Sequence, residues 1–392
     1  MPIAAKIVDY IERASWIRAM FEVGAKLKAQ VGAENVFDFS LGNPNLEPPA
    51  EFFEVARELI VNHQPGDHAY MPNGGFPAVR QTIAEHLRKQ HGLPFDVDTI
   101  LMTVGAAGAI NITLKTILNP GDEVLVPAPL FMEYNFYIEN HGGRMITAPT
   151  KADFSLDVEA MARAINEKTA AVIINNPNNP SGAVYSQAQI DALAEMLRQQ
   201  SARIKRPIYL ICDEPYRQII FDGLQAPSLF KAYDNSILVT SFSKSLSLPG
   251  ERIGYAAVHP QLADKAQVVA GMTLCNRILG FVNAPGLQQR IVARLLDCQA
   301  DMGQYAKKRD LICQVLDAAG FDYTRPGGTF YVFPKSPIAD DVAFVRAAQE
   351  EYILVVPGVG FMGPGHFRIA FCCSDETIER SAPAFKRLRQ RF

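Results

Sequence analysis

The sequence predicts an α/β protein: a large three-layer α/β/α domain around a mostly parallel sheet, and a smaller α+β domain built from both termini. Three observations carry that class. Short apolar, β-branched runs recur through the middle of the chain without period-two alternation, as in strands covered on both faces. Amphipathic helical patterns separate these runs. The length, 392 residues, exceeds one ordinary domain and lets roughly three quarters of the unfolded surface be buried.

Taken in order, the segment from Met1 to about Leu41 reads as helical and stands outside the alternation. A helix is predicted over Pro77–His91 and a strand over Ile100–Val104. The small-residue run Gly105-Ala106-Ala107-Gly108-Ala109 then leads into a helical pattern over Ile110–Leu118, with Gly121 as a stop signal. Strands follow at Glu123–Val126 and Ala171–Ile174, a helix at Gln187–Gln200, and strands at Ile208–Ile211, Ile237–Val239 and Ile253–Ala257. From about Pro285 the pattern changes: a helix over Gln304–Ala318 stopped by Gly320, and strands at Thr329–Phe333 and Phe367–Phe371. The expected division is a large domain at 45–285 and a discontinuous small domain at 1–44 and 286–392.

Composition excludes several classes. Lys and Arg total 38 against 41 Asp and Glu, a net charge of −3, so no broad basic surface is expected for nucleic acid or a membrane. Hydrophobic residues at 48% and charged residues at 20% rule out a disordered or collagen-like chain. Cys212, Cys275, Cys298, Cys313, Cys372 and Cys373 form no C-x-x-C and no zinc spacing, so reduced core thiols and no metal are expected. The start of the chain has no secretory pattern, and no apolar run is long enough to span a bilayer. Cytoplasm is the expected compartment.

Chemistry-bearing residues gather at the C-terminal ends of predicted strands, where open α/β sheets bind ligands. Asn176-Pro177-Asn178-Asn179-Pro180-Ser181-Gly182 follows one strand; on composition alone these turn formers read better as an ordinary connector than as a site. Asp213-Glu214-Pro215-Tyr216 follows the next, and an acid at the end of a buried strand needs a cation. Ser241, Ser243, Lys244 and Arg252 follow the third. Hydroxyls and a guanidinium suit a phosphate, and a lysine among cations suits nucleophilic attack on an aldehyde. The run Gly105–Ala109 offers amides at a helix start to an anion. It is neither G-x-G-x-x-G nor a Walker A loop, which argues against a nicotinamide oxidoreductase or a nucleotide triphosphatase. Together the clusters ask for a ligand with a phosphate, an aldehyde for Lys244 and a basic ring atom for Asp213. Pyridoxal 5′-phosphate (PLP) has all three.

At this point the sequence resembles the class I/II (fold-type I) PLP-dependent aminotransferases, the aspartate aminotransferase superfamily. The N-P-x-N-P-[TS]-G, D-E-x-Y, S-x-S-K and P-G-x-R-x-G signatures occur in family order between about Leu41 and Phe371. Supporting matches are Tyr70 with Gly75-Phe76-Pro77, Pro127-Ala128-Pro129-Leu130-Phe131, and Phe367-Arg368-Ile369-Ala370-Phe371.

The resemblance implies that Lys244 forms the internal aldimine and later moves the α-proton by way of a quinonoid intermediate. It implies that Asp213 pairs with the protonated ring nitrogen, and that Asn179 and Tyr216 hydrogen-bond the ring's phenolic oxygen, with a cis Asn179–Pro180 bond. Ser241, Ser243, Arg252 and the amides of Ala106 and Ala107 are implied to hold the phosphate, and Phe131 to stack on the ring. Arg368 is implied to grip the substrate α-carboxylate, with Gly42 in the N-terminal substrate loop. Tyr70 resembles the tyrosine that reaches the neighbouring subunit's phosphate, which implies a homodimer. Phe131 departs from the Trp or Tyr often found there, and Ala106-Ala107 lack a hydroxyl, shifting phosphate binding toward amides and the serines.

The implied reaction moves an amino group between an L-amino acid and a 2-oxo acid; a carbon–sulfur β-elimination lyase is the alternative on the same fold. Arg277 admits two readings, a second arginine serving the partner's dicarboxylate substrate or a surface arginine on a helix. A PLP-sensing regulator with a winged-helix domain is not expected, because segment 1–41 is too short to hold one.

Overall fold

The computed structural model describes residues 3–13 and 15–392; of the predicted helical N-terminus, Met1, Pro2 and Ala14 lie outside them. Twelve strands occur among the described residues: β1 (Phe37–Asp38), β2 (Ile100–Thr103), β3 (Glu123–Ala128), β4 (Arg144–Pro149), β5 (Thr169–Asn175), β6 (Tyr209–Asp213), β7 (Ser236–Ser241), β8 (Gly254–Val258), β9 (Tyr331–Val332), β10 (Ile353–Leu354), β11 (Val356–Pro357) and β12 (Phe367–Ala370). The main sheet has the order β2-β8-β7-β6-β5-β3-β4. Its members run parallel except β8, which is antiparallel to both neighbours.

Side chains along each strand alternate between two apolar layers. Met102, Ile174, Cys212 and Leu238 join the core under helices Pro77–His91, Gln187–Ile204 and Gly286–Ala293. Their neighbours Leu101, Ile173, Ile211 and Val239 join the core under helices Gly105–Ile117, Glu133–Asn140 and Lys265–Ile278. Double coverage explains why the strands read as continuous apolar runs.

A third core gathers Phe330, Val332, Phe333, Phe367, Ile369 and Phe371 against helices Met302–Ala319, Asp341–Glu350 and Asp375–Gln390. Its three-stranded antiparallel sheet has the order β11-β12-β9. The N-terminal segment enters here: β1 pairs with β10 in parallel, and Ala370 donates its N–H to Phe39 O at 2.8 Å.

Two local expectations are corrected. Residues 37–38 are a strand, not part of a helical segment. Helix Gly105–Ile117 begins at Gly105, so the small-residue run is its first turn and not a loop before it. Helix Gly286–Ala293, placed with the small domain by sequence, puts Ile291 and Val292 into the main-sheet core. Conversely, Tyr216, Ile219 and Phe221 reach from the middle of the chain into the third core.

Candidate active site

Four strands of the main sheet end at one place. After β5, Asn175 donates its side-chain N–H to Asp213 O at 2.9 Å and accepts from the Asn179 N–H at 2.7 Å, tying the asparagine–proline loop to β6. The Asn176–Pro177 and Asn179–Pro180 bonds are both cis. Gly182, at φ 71°, closes this loop; a Cβ there would sit 2.4 Å from Pro326 Cβ and 2.8 Å from Tyr331 O, so the close approach requires glycine.

At the end of β6, Asp213 is buried. Its Oδ2 accepts from the Tyr134 hydroxyl at 2.6 Å, while Oδ1 has no partner. Burial pushes its pKa up to about 7, against the lowering effect of the Tyr134 hydrogen bond. Tyr216, on the following turn, shares a hydrogen bond with the Tyr331 hydroxyl at 3.1 Å.

β7 delivers Ser241, and the short helix Phe242–Ser245 presents Ser243 and Lys244. Lys244 Nζ donates to Gly42 O at 2.9 Å and lies 5.3 Å from the Phe330 ring centroid. Burial lowers its pKa to about 8, and the cations Arg368 and Arg252 act in the same direction. Arg252 and Gly105 meet behind it: a Cβ on Gly105, at φ 67°, would lie 3.1 Å from the Arg252 guanidinium. The adjoining first helical turn carries Ala106 and Ala107, with free amides at a positive helix end.

On β12, Arg368 is buried. It donates to Ser40 O at 2.7 Å and Asn179 Oδ1 at 3.2 Å, lies between Tyr331 and Phe361 at 4.5 and 4.6 Å, and leaves Nε without a partner. Phe131 stands edge-on to Tyr134 at 5.6 Å.

These residues face one cavity of about 390 Å³. It brings together Gly42, Ala106, Ala107, Phe131, Asn179, Asp213, Tyr216, Ser241, Ser243, Lys244, Arg252 and Arg368. Tyr70 is not among them; it is 93% exposed. Arg277 is exposed on helix Lys265–Ile278, also outside the cavity of its own chain. Sequence reasoning missed Glu133, Tyr134, Tyr137 and Tyr331, which line the same space. Tyr134 follows Phe131 by three positions, and that one-turn spacing was an available signal. Tyr331 had none, because its approach to Tyr216 depends on packing between distant segments.

The chemistry of this donor set fits PLP. Asp213 keeps an orphaned carboxyl oxygen in the cavity, a counter-group for a ring N–H. Lys244 is an amine whose proton is easily lost. Hydroxyls, helix amides and Arg252 supply an anion site at the same end of the sheet.

Comparisons with known proteins agree. The pattern of the family described as aminotransferase class I and II matches residues 34–385. Aspartate/prephenate aminotransferase of Thermus thermophilus is 31% identical over 355 residues, 88% of this chain and 89% of that protein. The probable aspartate aminotransferase of Methanocaldococcus jannaschii is 30% identical over 366 residues, covering 91% and 94%. Among solved structures, an amino transferase of Eubacterium rectale has a TM-score of 0.97 at 39% identity, over 100% of this chain and 99% of that one. Aspartate aminotransferase of Thermus thermophilus with maleate gives 0.86 at 27%, over 99% and 100%.

Proposed function

The chain belongs to the class I and II aminotransferases, and from that premise we propose how its own residues carry the transfer of an amino group between an amino acid and a 2-oxo acid. The enzyme is a PLP-dependent transferase; the lyase reading is not favoured. The observation that carries the proposal is that Lys244, Asp213 and Arg368 face one cavity from three different strand ends.

Bound PLP supplies an aldehyde and a conjugated ring that accommodates the electron pair left when the substrate's α-proton departs. Arg368 receives the substrate α-carboxylate. Its guanidinium is buried between two rings and held by Ser40 and Asn179, so the fork is oriented before substrate arrives. Gly42 keeps the N-terminal loop close, since a Cβ there would fall 1.8 Å from the Tyr331 hydroxyl. Lys244 takes the proton from the α-carbon and returns it elsewhere; a pKa near 8 makes its amine both an adequate base and an adequate acid near neutrality. Asp213 holds a proton on the ring nitrogen, and Tyr134 stabilises its carboxylate. Asn179 and Tyr216 hydrogen-bond the phenolic oxygen, Phe131 covers the ring, and Ser241, Ser243, Arg252 and the amides of Ala106 and Ala107 hold the phosphate.

The same proposal includes the division at 45–285 against 1–44 with 286–392, refined so that helix Gly286–Ala293 moves with the main sheet. It includes a homodimer in which Tyr70 reaches the partner's phosphate, and a cytoplasmic location. No helix among the described residues is long and apolar enough to cross a membrane.

The test is half-reaction spectroscopy on the holoenzyme. Amino acids should convert the bound cofactor to its amine form, 2-oxo acids should convert it back, and Lys244→Ala should do neither. Release of ammonia without the amine form would overturn amino transfer.

A further inference from the structure

Glu133 lines the active-site cavity from the first position of helix Glu133–Asn140. Burial alone raises its pKa above the ordinary glutamate range, and among the described residues no side chain hydrogen-bonds or ion-pairs with its carboxyl. Of its neighbours on the helix, one is engaged elsewhere and one shares the cavity. Tyr134 is committed to Asp213, and Tyr137, one turn on, faces the same cavity.

A partly desolvated carboxylate without a donor is costly, and an enclosed site of low dielectric magnifies its effect on any charge brought beside it. The cations lining the cavity, among the described residues, are Lys244, Arg252 and Arg368. The proposed function assigns them to proton transfer, the phosphate and the α-carboxylate. None of these three is left for an acidic substrate side chain, and Glu133, the one carboxyl in this lining besides Asp213, has the opposite sign to what such a side chain needs.

We propose that Glu133 is a specificity-determining residue of the amino-transfer reaction: its carboxylate turns away substrates with acidic side chains and accepts those whose side chain ends in a hydrogen-bond donor, neutral or cationic. The inference rests on the proposed function. It places the preferred substrates apart from the dicarboxylates named for the aspartate aminotransferases that this chain resembles.

The test compares matched donors, glutamate with glutamine and aspartate with asparagine, plus alanine, in half-reactions of the holoenzyme. The wild type should favour the amide of each pair by about tenfold or more in kcat/KM. Glu133→Gln should shrink that preference by about tenfold while alanine moves less than about twofold. An unchanged preference in Glu133→Gln overturns the assignment, as does an equal fall for alanine and the amides. So does altered PLP affinity with unaltered selectivity, which would place Glu133 on the cofactor instead. A wild type that converts no amino acid overturns the amino-transfer reading itself, a result distinguishable from all of these.

Discussion

The Tyr134 hydroxyl donates to Asp213 Oδ2 at 2.6 Å, from a helix on one side of the main sheet to the end of its central strand β6. This bond favours the carboxylate against the burial that opposes it, and it leaves Oδ1 unpartnered, the atom proposed to serve the ring nitrogen. Tyr134→Phe keeps the ring and removes the donor. A lost hydrogen bond to a charged group costs roughly 1.5–3 kcal/mol, so the amino-acid half-reaction should slow by about tenfold or more while PLP remains bound. Stopped-flow rates of the variant check this; a near-normal rate would show that Asp213 holds its charge without help.

Asp213 also makes stability depend on pH once the cofactor is stripped away. Its pKa of about 7 lies above the roughly 3.9 of an unfolded aspartate. The folded chain therefore keeps a proton that the unfolded chain gives up. The contribution is fully present below about pH 4 and is lost as pH rises through 7. Lys244, lowered to about 8, acts outside that window: between there and the roughly 10.4 of an unfolded lysine, it makes stability rise with pH. Asp213→Asn carries no charge to bury, so its apoprotein should melt above the wild type at pH 8, with the gap closing as pH falls toward 5. Added PLP should reverse the order by stabilising the wild type more. Thermal denaturation with and without cofactor measures both effects, and a gap independent of pH would refute the linkage.

Gly254 is where β7, β8 and the proposed phosphate end of the site press together. A Cβ there would stand 2.3 Å from Thr240 O and 2.9 Å from Gly105 C, both backbone atoms that cannot rotate away. Gly254→Ala should cost about 1–3 kcal/mol of stability, as overpacking does. It should also weaken PLP binding, since Gly105 opens the helix that carries Ala106 and Ala107. Denaturant midpoints and cofactor titration check the two parts separately; loss of stability with unchanged PLP affinity would mean that the strain stops at the sheet.

Much of this was legible in the sequence because each site motif is local and sits just after a continuous apolar strand. Asp213 ends β6 and Lys244 follows β7 within a few residues, so reading the strand located the chemistry. The misses have physical causes. Helix Gly105–Ile117 starts on Val104, which makes no side-chain cap, so no Ser, Thr, Asp or Asn announced its true first turn. β1 is two residues long and exists because β10 lies beside it, a partner more than three hundred positions away in sequence by their register of Phe37 with Ile353. Glu133 and Tyr134 face the cavity because their short helix packs under Phe131, and Tyr331 does so because β9 pairs with β12. Such relations are set by packing between segments, which periodicity does not report.

Tyr70 is 93% exposed on a loop that is nevertheless pinned. Asn276 donates to Asn73 O at 2.7 Å, Asn73 to Val282 O at 2.9 Å, and Asn283 to Pro72 O at 3.0 Å. Leu274 and Ile278, on the helix before that anchor, are exposed as well. An ordered loop presenting a bare tyrosine beside exposed aliphatic residues suits a second copy of the chain. Sedimentation should therefore give a dimer, and Tyr70→Ala should bind PLP about tenfold more weakly through the lost hydrogen bond to phosphate. The decisive measurement mixes Tyr70→Ala chains with inactive Lys244→Ala chains. If Tyr70 serves the neighbouring site, each mixed dimer holds one site with both defects and one with neither, so activity per Tyr70→Ala chain should rise on mixing. A monomer, or mixing without recovery, would confine Tyr70 to its own surface.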